Sequence, residues 1–163
     1  MHTRRCLSVV LLAVACTVLP ACGYSTSSLL RKDISSVCVP VFDNQTFYRG
    51  LETRLTKAVV EEVELHTRLV FAEGARADSV LEGELLEYDE SVVAKTTMDA
   101  ILVKKISAKA RFRWVDRLTG APIVPWTEVE ESARFAMAIG EPQEERVFRE
   151  LAQRIVEKME EPW

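Results

Sequence analysis

Catalytic equipment is what this chain most visibly lacks. No HExxH helix, glycine-rich phosphate loop, nucleophile elbow or CxxC pair occurs in its 163 residues, so metal-assisted hydrolysis, P-loop nucleotide binding and thiol exchange have no motif to work with. A basic excess is missing too: 21 Lys and Arg stand against 25 Asp and Glu, which argues against nucleic acid as a partner. No apolar run reaches the roughly 20 residues a spanning helix requires. The longest is Leu7 to Leu19, 13 residues broken only by Ser8, Cys16 and Thr17. Neither an internal repeat nor a low-complexity tract interrupts the chain from Ile34 to its end.

That apolar run is informative about processing. Arg4 and Arg5 precede it, and Leu19-Pro20-Ala21-Cys22-Gly23 closes it, which is the layout of a short signal-peptide core followed by a small-residue cleavage site. A buried N-terminal helix or a short membrane anchor is the competing reading, and Pro20 counts against it because proline interrupts a helix. The stretch resembles the lipobox of bacterial lipoproteins, which implies removal of residues 1–21 and diacylglycerol attachment at Cys22. Cys16 also follows a small residue, but cleavage there would cut the apolar core too short.

Cysteine usage then reads simply. Cys6 and Cys16 leave with the signal, Cys22 carries lipid, and Cys38 alone remains, so no intrachain disulfide is expected. Losing Arg4 and Arg5 leaves 19 basic residues against 25 acidic, a net charge of −6. Residues 22–33 are polar and Ser-rich and form a tether; residues 34–163 suffice for one domain with one core.

Periodicity supplies the elements. Ile34 to Phe42 is rich in β-branched residues, with Pro40 demanding a strand end, an edge or a bulge. Asp43-Asn44-Gln45-Thr46 reads as a turn, with Asn44 or Thr46 placed to cap a helix over 48–66. In that helix Leu51, Leu55, Ala58, Val59 and Val63 form one stripe, while the acids, Glu61 and Glu62 among them, take other faces. Arg68 to Ala72 is a short strand. Ala77 to Tyr88 begins a longer one whose apolar phase changes at Leu85-Leu86, the mark of a bulge. Ala100 to Asp116 alternates most clearly, with Leu102, Ile106, Ala108, Ala110, Phe112 and Trp114 opposed to Lys105, Ser107, Lys109, Arg111 and Arg113. A turn at Gly120 leads to Ile123–Met137, where Ile123, Val129, Ala133, Phe135 and Met137 oppose Trp126, Glu128, Glu130 and Arg134. Placing Asp116 opposite Ala121 sets Arg111 against Trp126, Lys109 against Glu128 and Ser107 against Glu130. Gly140-Glu141-Pro142 opens a last helix with a stripe from Val147 to Met159, closing at Pro162.

Candidate chemistry is sparse. His66 would be the only histidine after processing, and at a helix C-terminus it reads as a charge favoured by the dipole. Cys38, between Val37 and Val39, reads as a small buried hydrophobe. The pairs Glu61-Glu62, Glu130-Glu131 and Glu144-Glu145 point apart within regular structure and read as solvated charges. The basic stripe Lys105, Lys109, Arg111 and Arg113, with Lys104 nearby, suits an anionic ligand such as phosphate. Cross-pairing with Glu128 and Glu130, and Trp126 over Arg111, favours a solvated sheet face instead. The end at Arg111 and Arg113, furthest from those glutamates, is the remaining candidate.

The element order strand, helix, short strand, three longer strands, helix comes together with Cys22-Gly23-Tyr24, Val39-Pro40-Val41-Phe42-Asp43-Asn44-Gln45-Thr46, Gly50-Leu51-Glu52, Ala77-Asp78 and Leu81-Glu82-Gly83. In these the chain resembles the LPS-assembly lipoprotein family, LptE. The resemblance implies an α+β two-layer sandwich, with two helices on one face of a mixed four- to five-stranded sheet. It also implies a non-enzymatic outer-membrane lipoprotein without metal or cofactor, anchored at Cys22 and facing the periplasm or housed in the lumen of an LptD-like barrel. There it would act as plug, assembly partner and participant in lipopolysaccharide insertion. Lipopolysaccharide contact would fall to basic residues of the sheet, for which Lys104, Lys105, Arg111 and Arg113 are the candidates. The stretch 39–46 also resembles other envelope lipoproteins, those that activate peptidoglycan synthases or form secretion channels; they share a related layout but not the function.

Overall fold

The computed structural model describes residues 34–95, 101–136 and 143–161. The processing signal, Cys22 and the tether, together with Met137, the helix opening Gly140-Glu141-Pro142 and the stop at Pro162, lie outside the described residues. In chain order the elements are β1 Ser36–Cys38, β2 Asp43–Asn44, α1 Leu51–His66, β3 Val70–Phe71, β4 Ser79–Lys95, β5 Ile101–Asp116, β6 Pro122–Ala136 and α2 Gln143–Glu160. One mixed sheet runs β3-β1-β4-β5-β6, with β2 alongside β4. The pairings of β1 and β2 are parallel, and those joining β4, β5 and β6 are antiparallel. Both helices pack on one face, giving the expected α+β sandwich.

Alternation decides which face that is. Leu81 and Leu85 of β4, Ile106, Ala108, Ala110, Phe112 and Trp114 of β5, and Val129 of β6 are buried beneath the helices. From α2 the whole stripe Val147, Phe148, Leu151, Ala152, Ile155, Val156 and Met159 meets them, and from α1 come Leu51, Leu55, Val59 and Val63. Register slips between Leu85 and Glu87, so the buried phase passes from Leu85 to Tyr88, as the change of apolar phase predicts. Gly83 lies where the Phe42 ring crosses the sheet. A Cβ there would sit 2.1 Å from Phe42 Cε2, so only glycine admits this close approach.

Four expectations need correction. The segment 34–42 is not one strand: β1 ends at Cys38, and Asp43–Asn44, read as a turn, is a second short strand on β4. Helix α1 starts at Leu51 rather than 48, behind Gly50 at φ 86°, with no side-chain cap on its N-terminus. Asn44 instead donates its amide to Tyr48 O (2.6 Å) and Glu52 Oε2 (2.7 Å), while Glu52 accepts from Gly50 N–H. The Glu52 carboxyl is held below its usual range first by a bond from its own backbone N–H, then by the Asn44 amide and least by Gly50 N–H. Glu62 is not solvated but 3% exposed, because α2 covers that side of α1; Gln153 Nε2 donates to its Oε1 at 3.4 Å.

The fourth correction concerns the β5–β6 register. Val115 faces Pro122 as expected near the turn, with Gly120 at φ 70°, but two shifts between Phe112 and Val115 move the rest by two residues. Arg111 therefore faces Glu128, Lys109 faces Glu130 and Ser107 faces Ser132. Pro125 has no N–H for the ladder, and the irregularity falls at that proline. Val124 rather than Ile123 is fully buried as a result. A slip of two keeps every residue beyond it on its expected face.

Candidate functional site: the open face of the sheet

The face opposite the helices carries the basic stripe. Lys105, Ser107, Lys109, Arg111 and Arg113 project from β5, flanked by Glu82 and Glu84 of β4 and by Glu128, Glu130 and Arg134 of β6. Lys104, grouped with the stripe in sequence, belongs to the opposite face and bonds Glu90 there. Cys22 is outside the described residues.

Charge pairing along this face runs further than the sequence suggests. Arg111 donates Nε and Nη2 to Glu84 Oε2 at 2.9 and 2.7 Å, and Arg113 donates Nε to Glu82 Oε2 at 2.5 Å. The two arginines therefore do not lie furthest from glutamate, since β4 supplies one to each. The signal was present: Glu82 and Glu84 alternate with Leu81, Gly83 and Leu85, and only the β4–β5 register was needed to bring them across. Trp126 lies against both guanidinium groups, 4.9 Å from Arg111 and 5.0 Å from Arg113, a cation–π arrangement. Lys109 Nζ is 2.8 Å from Glu128 Oε2, a diagonal neighbour. Their mutual bond and charge raise the lysine above its ordinary value and lower the glutamate. Two of the contacts anticipated from the simpler register, Arg111 with Trp126 and Lys109 with Glu128, thus survive as diagonals.

Lys105 differs from the rest. Its cross-strand neighbours are Ser91 and Arg134, and among the described residues neither Lys105 nor Arg134 has an ion-pair partner. Beside the stripe, a groove of about 300 Å³ is lined by Phe47, Tyr48, Leu86 and Lys109 among others, with Phe47 fully exposed.

Elsewhere the ionisable groups tie elements together. Glu144 of α2 accepts from Tyr88 Oη at 3.1 Å and pairs with Arg54 of α1; burial first, and then the Glu144 charge, push the Tyr88 phenol well above its ordinary value. Glu131, behind the sheet, pairs with Arg154, so Glu130 and Glu131 do point apart. His66 Nε2 lies 3.1 Å from Glu62 Oε2 without hydrogen-bond alignment. Cys38 is half-buried rather than buried. Among the described residues no group of three or more His, Cys, Asp and Glu is arranged to hold a metal ion, and no helix is long and apolar enough to cross a membrane.

This layout is matched by the LptE family, described as lipopolysaccharide-assembly, over residues 34–159. The chain belongs to the LptE family. Comparison with curated proteins returned no match. Among solved structures it is similar to a PelC dodecamer from Paraburkholderia phytofirmans, at 16% identity and TM-score 0.51, covering 79% of this chain and 89% of that one. A rare lipoprotein B from Shewanella oneidensis is similar at 14% identity and TM-score 0.44, over 75% and 92% of the two chains. The PelC likeness shows a shared fold and nothing finer.

Proposed function

We propose that this chain is the lipid-anchored, non-enzymatic subunit of a lipopolysaccharide translocon in the outer membrane. In this reading it is acylated at Cys22 after loss of residues 1–21, faces the periplasm or the lumen of an LptD-like barrel, and serves that barrel as plug and assembly partner. The observation that carries the reading is the LptE family match over residues 34–159, which spans both layers of the sandwich. The lipobox-like Leu19-Pro20-Ala21-Cys22 supports the anchor, and several acyl chains at about 0.8 kcal/mol per buried methylene hold a protein at a membrane without a spanning segment.

Within that function, Lys105, Arg111 and Arg113 contact the phosphates of lipopolysaccharide. Arg111 and Arg113 exchange Glu84 and Glu82 for phosphate, a match for guanidinium forks, while Lys105 has no ion pair to surrender. Lys104, on the other face, takes no part.

Affinity purification of the full chain from native membranes tests the partnership. The expected result is co-purification of a large outer-membrane β-barrel protein; recovery of a peptidoglycan synthase or a secretion-channel protein in its place overturns the reading in favour of those lipoproteins. For the ligand, replacing Lys105, Arg111 and Arg113 by glutamine should weaken lipopolysaccharide binding more than Arg54→Gln on α1, and equal losses would remove the open face from the mechanism. Cys22→Ala should yield chain without acyl groups, and continued acylation would move the anchor elsewhere.

A further inference from the structure

The sheet ends on β6, and this edge differs from the other long one. Beyond Leu85, the outer edge of β4 is also unpaired among the described residues, but register shifts between Leu85 and Glu87, Val92 and Ala94, and Ala94 and Lys95 break its regularity. Such bulges blunt an edge against association. On β6, Pro122 and Pro125 guard only the end near the hairpin. From Thr127 to Ala136 the pairing to β5 runs through ten residues without a shift, and among the described residues no strand lies on the outer side. A regular edge of that length is a template for another strand.

The side chains along it say which strand. Arg134 sits directly opposite Lys105, an unfavourable like-charge pair, and among the described residues neither has an ion-pair partner. Glu130, four residues away on the same face, likewise has none among the described residues; the nearby Lys109 Nζ is 2.8 Å from Glu128. A strand supplying an acid opposite Arg134 and a base opposite Glu130 would answer both. Chain β6 is itself such a strand when run antiparallel about a two-fold axis at Ser132. Glu130 then faces Arg134 of the second copy, twice over, and Val129 faces Phe135 on the helix side. Moving the axis to Glu131 sets that carboxylate against its own copy, and moving it to Ala133 leaves Arg134 opposite Ser132.

We propose that β6 is a self-association edge: two copies of this chain pair antiparallel through Glu128–Ala136 about Ser132, extending one sheet into the other with all four helices on one side. The proposal goes beyond the function above and does not depend on the identity of the barrel partner.

Directly opposed residues in such a pair lie about 4.5–5.5 Å apart between Cα atoms, close enough for a disulfide. The full chain carrying Ser132→Cys, oxidised mildly in native membranes, should give a dimer of itself on a non-reducing gel, well above the wild-type chain and above Leu118→Cys on the hairpin turn. In the Ser132→Cys background, Glu130→Arg alone or Arg134→Glu alone should lower dimer yield about tenfold, because two attractive cross-strand pairs become two repulsive ones. Co-expressing those two variants should restore it, since each then meets its complement. Equal yields from Ser132→Cys and Leu118→Cys, single charge reversals without effect, or a Ser132→Cys cross-link to a different protein would each overturn self-pairing. Loss of this dimer leaves the barrel co-purification untouched, and the reverse holds equally.

Discussion

The parallel edge of the sheet and its antiparallel meander are built from the same chain by different means. Strands β1, β2 and β3 have three, two and two residues, too few for a ladder to hold by itself. Side chains compensate. Asp78 Oδ2 accepts from Ser35 N–H (3.1 Å) and Oγ–H (2.7 Å) and from Ser36 N–H (3.0 Å) and Oγ–H (2.8 Å). Thr56 Oγ1 of α1 accepts from Phe42 N–H at 2.9 Å, and Ser79 donates to Ser36 O at 2.8 Å. Strands β4, β5 and β6, with 17, 16 and 15 residues, need no such clasp. Their stability comes from continuous pairing and from apolar burial under two helices. The meander is therefore the platform, and the parallel edge is tied to it at a few named points.

Damage to the platform should be global. Trp114, fully buried in β5, is the largest such side chain, and Trp114→Ala should cost about 3–5 kcal/mol. Chemical denaturation should show a lower midpoint at an unchanged slope; a midpoint shift confined to the signals of β1–β3 would break the comparison. Next comes the joint between the two regions. Gly83→Ala forces the Phe42 ring off β4, and overpacking of this kind costs about 1–3 kcal/mol. Pairing Gly83→Ala with Phe42→Leu should recover part of that loss, and no recovery would show that the glycine is needed for its backbone rather than for the ring.

How much of this was legible follows the same division. Period-two alternation in β5, the phase change at Leu85-Leu86 and the seven-residue stripe of α2 all read directly, because long elements repeat one environment many times. Strands of two or three residues carry no period, so Asp43–Asn44 looked like a turn and β1 ran on into Val41 and Phe42. Tertiary ties were invisible as well: the start of α1 is set by Asn44 reaching Glu52, and the burial of Glu62 by α2 crossing its flank. At the open face the alternation placed Lys105, Arg111 and Arg113 together correctly. Lys104 joins them only by adjacency in sequence, and the glutamates of β4 reach the arginines only through the β4–β5 register, which alternation within one strand does not specify. Pro125 was in plain view, yet its consequence, a slip of two, needed the backbone to show it.

A smaller effect probes the second joint. Thr56, 8% exposed, accepts from Phe42 N–H while donating to Glu52 O at 2.7 Å. Thr56→Val keeps the shape and strands a buried backbone donor, a loss of about 1–3 kcal/mol for an unsatisfied group. Thr56→Ser should retain most of the stability. If valine and serine behaved alike in thermal melts, the hydroxyl would not be what ties the Phe42 segment to α1.

The least costly perturbation is also the most local, and acid applies it without mutation. Bonds from Ser35 first, and then Ser36, lower the Asp78 carboxyl from its ordinary 3.8 to about 2 in the fold. A group whose value is depressed on folding contributes stability that is complete above its unfolded value and disappears as pH falls through the folded one. The clasp should therefore be intact at neutral pH and weaken as pH falls from about 4 to about 2. Amide exchange should report this at the N–H groups of Val70 and Ala72, which donate to Ser35 O and Val37 O, while amides of β5 keep their protection over the same window. Asp78→Asn should show low protection of the parallel edge already at neutral pH and little further change in acid. If β5 lost protection in step with Val70, the edge would be an integral part of the platform rather than a segment clasped to it.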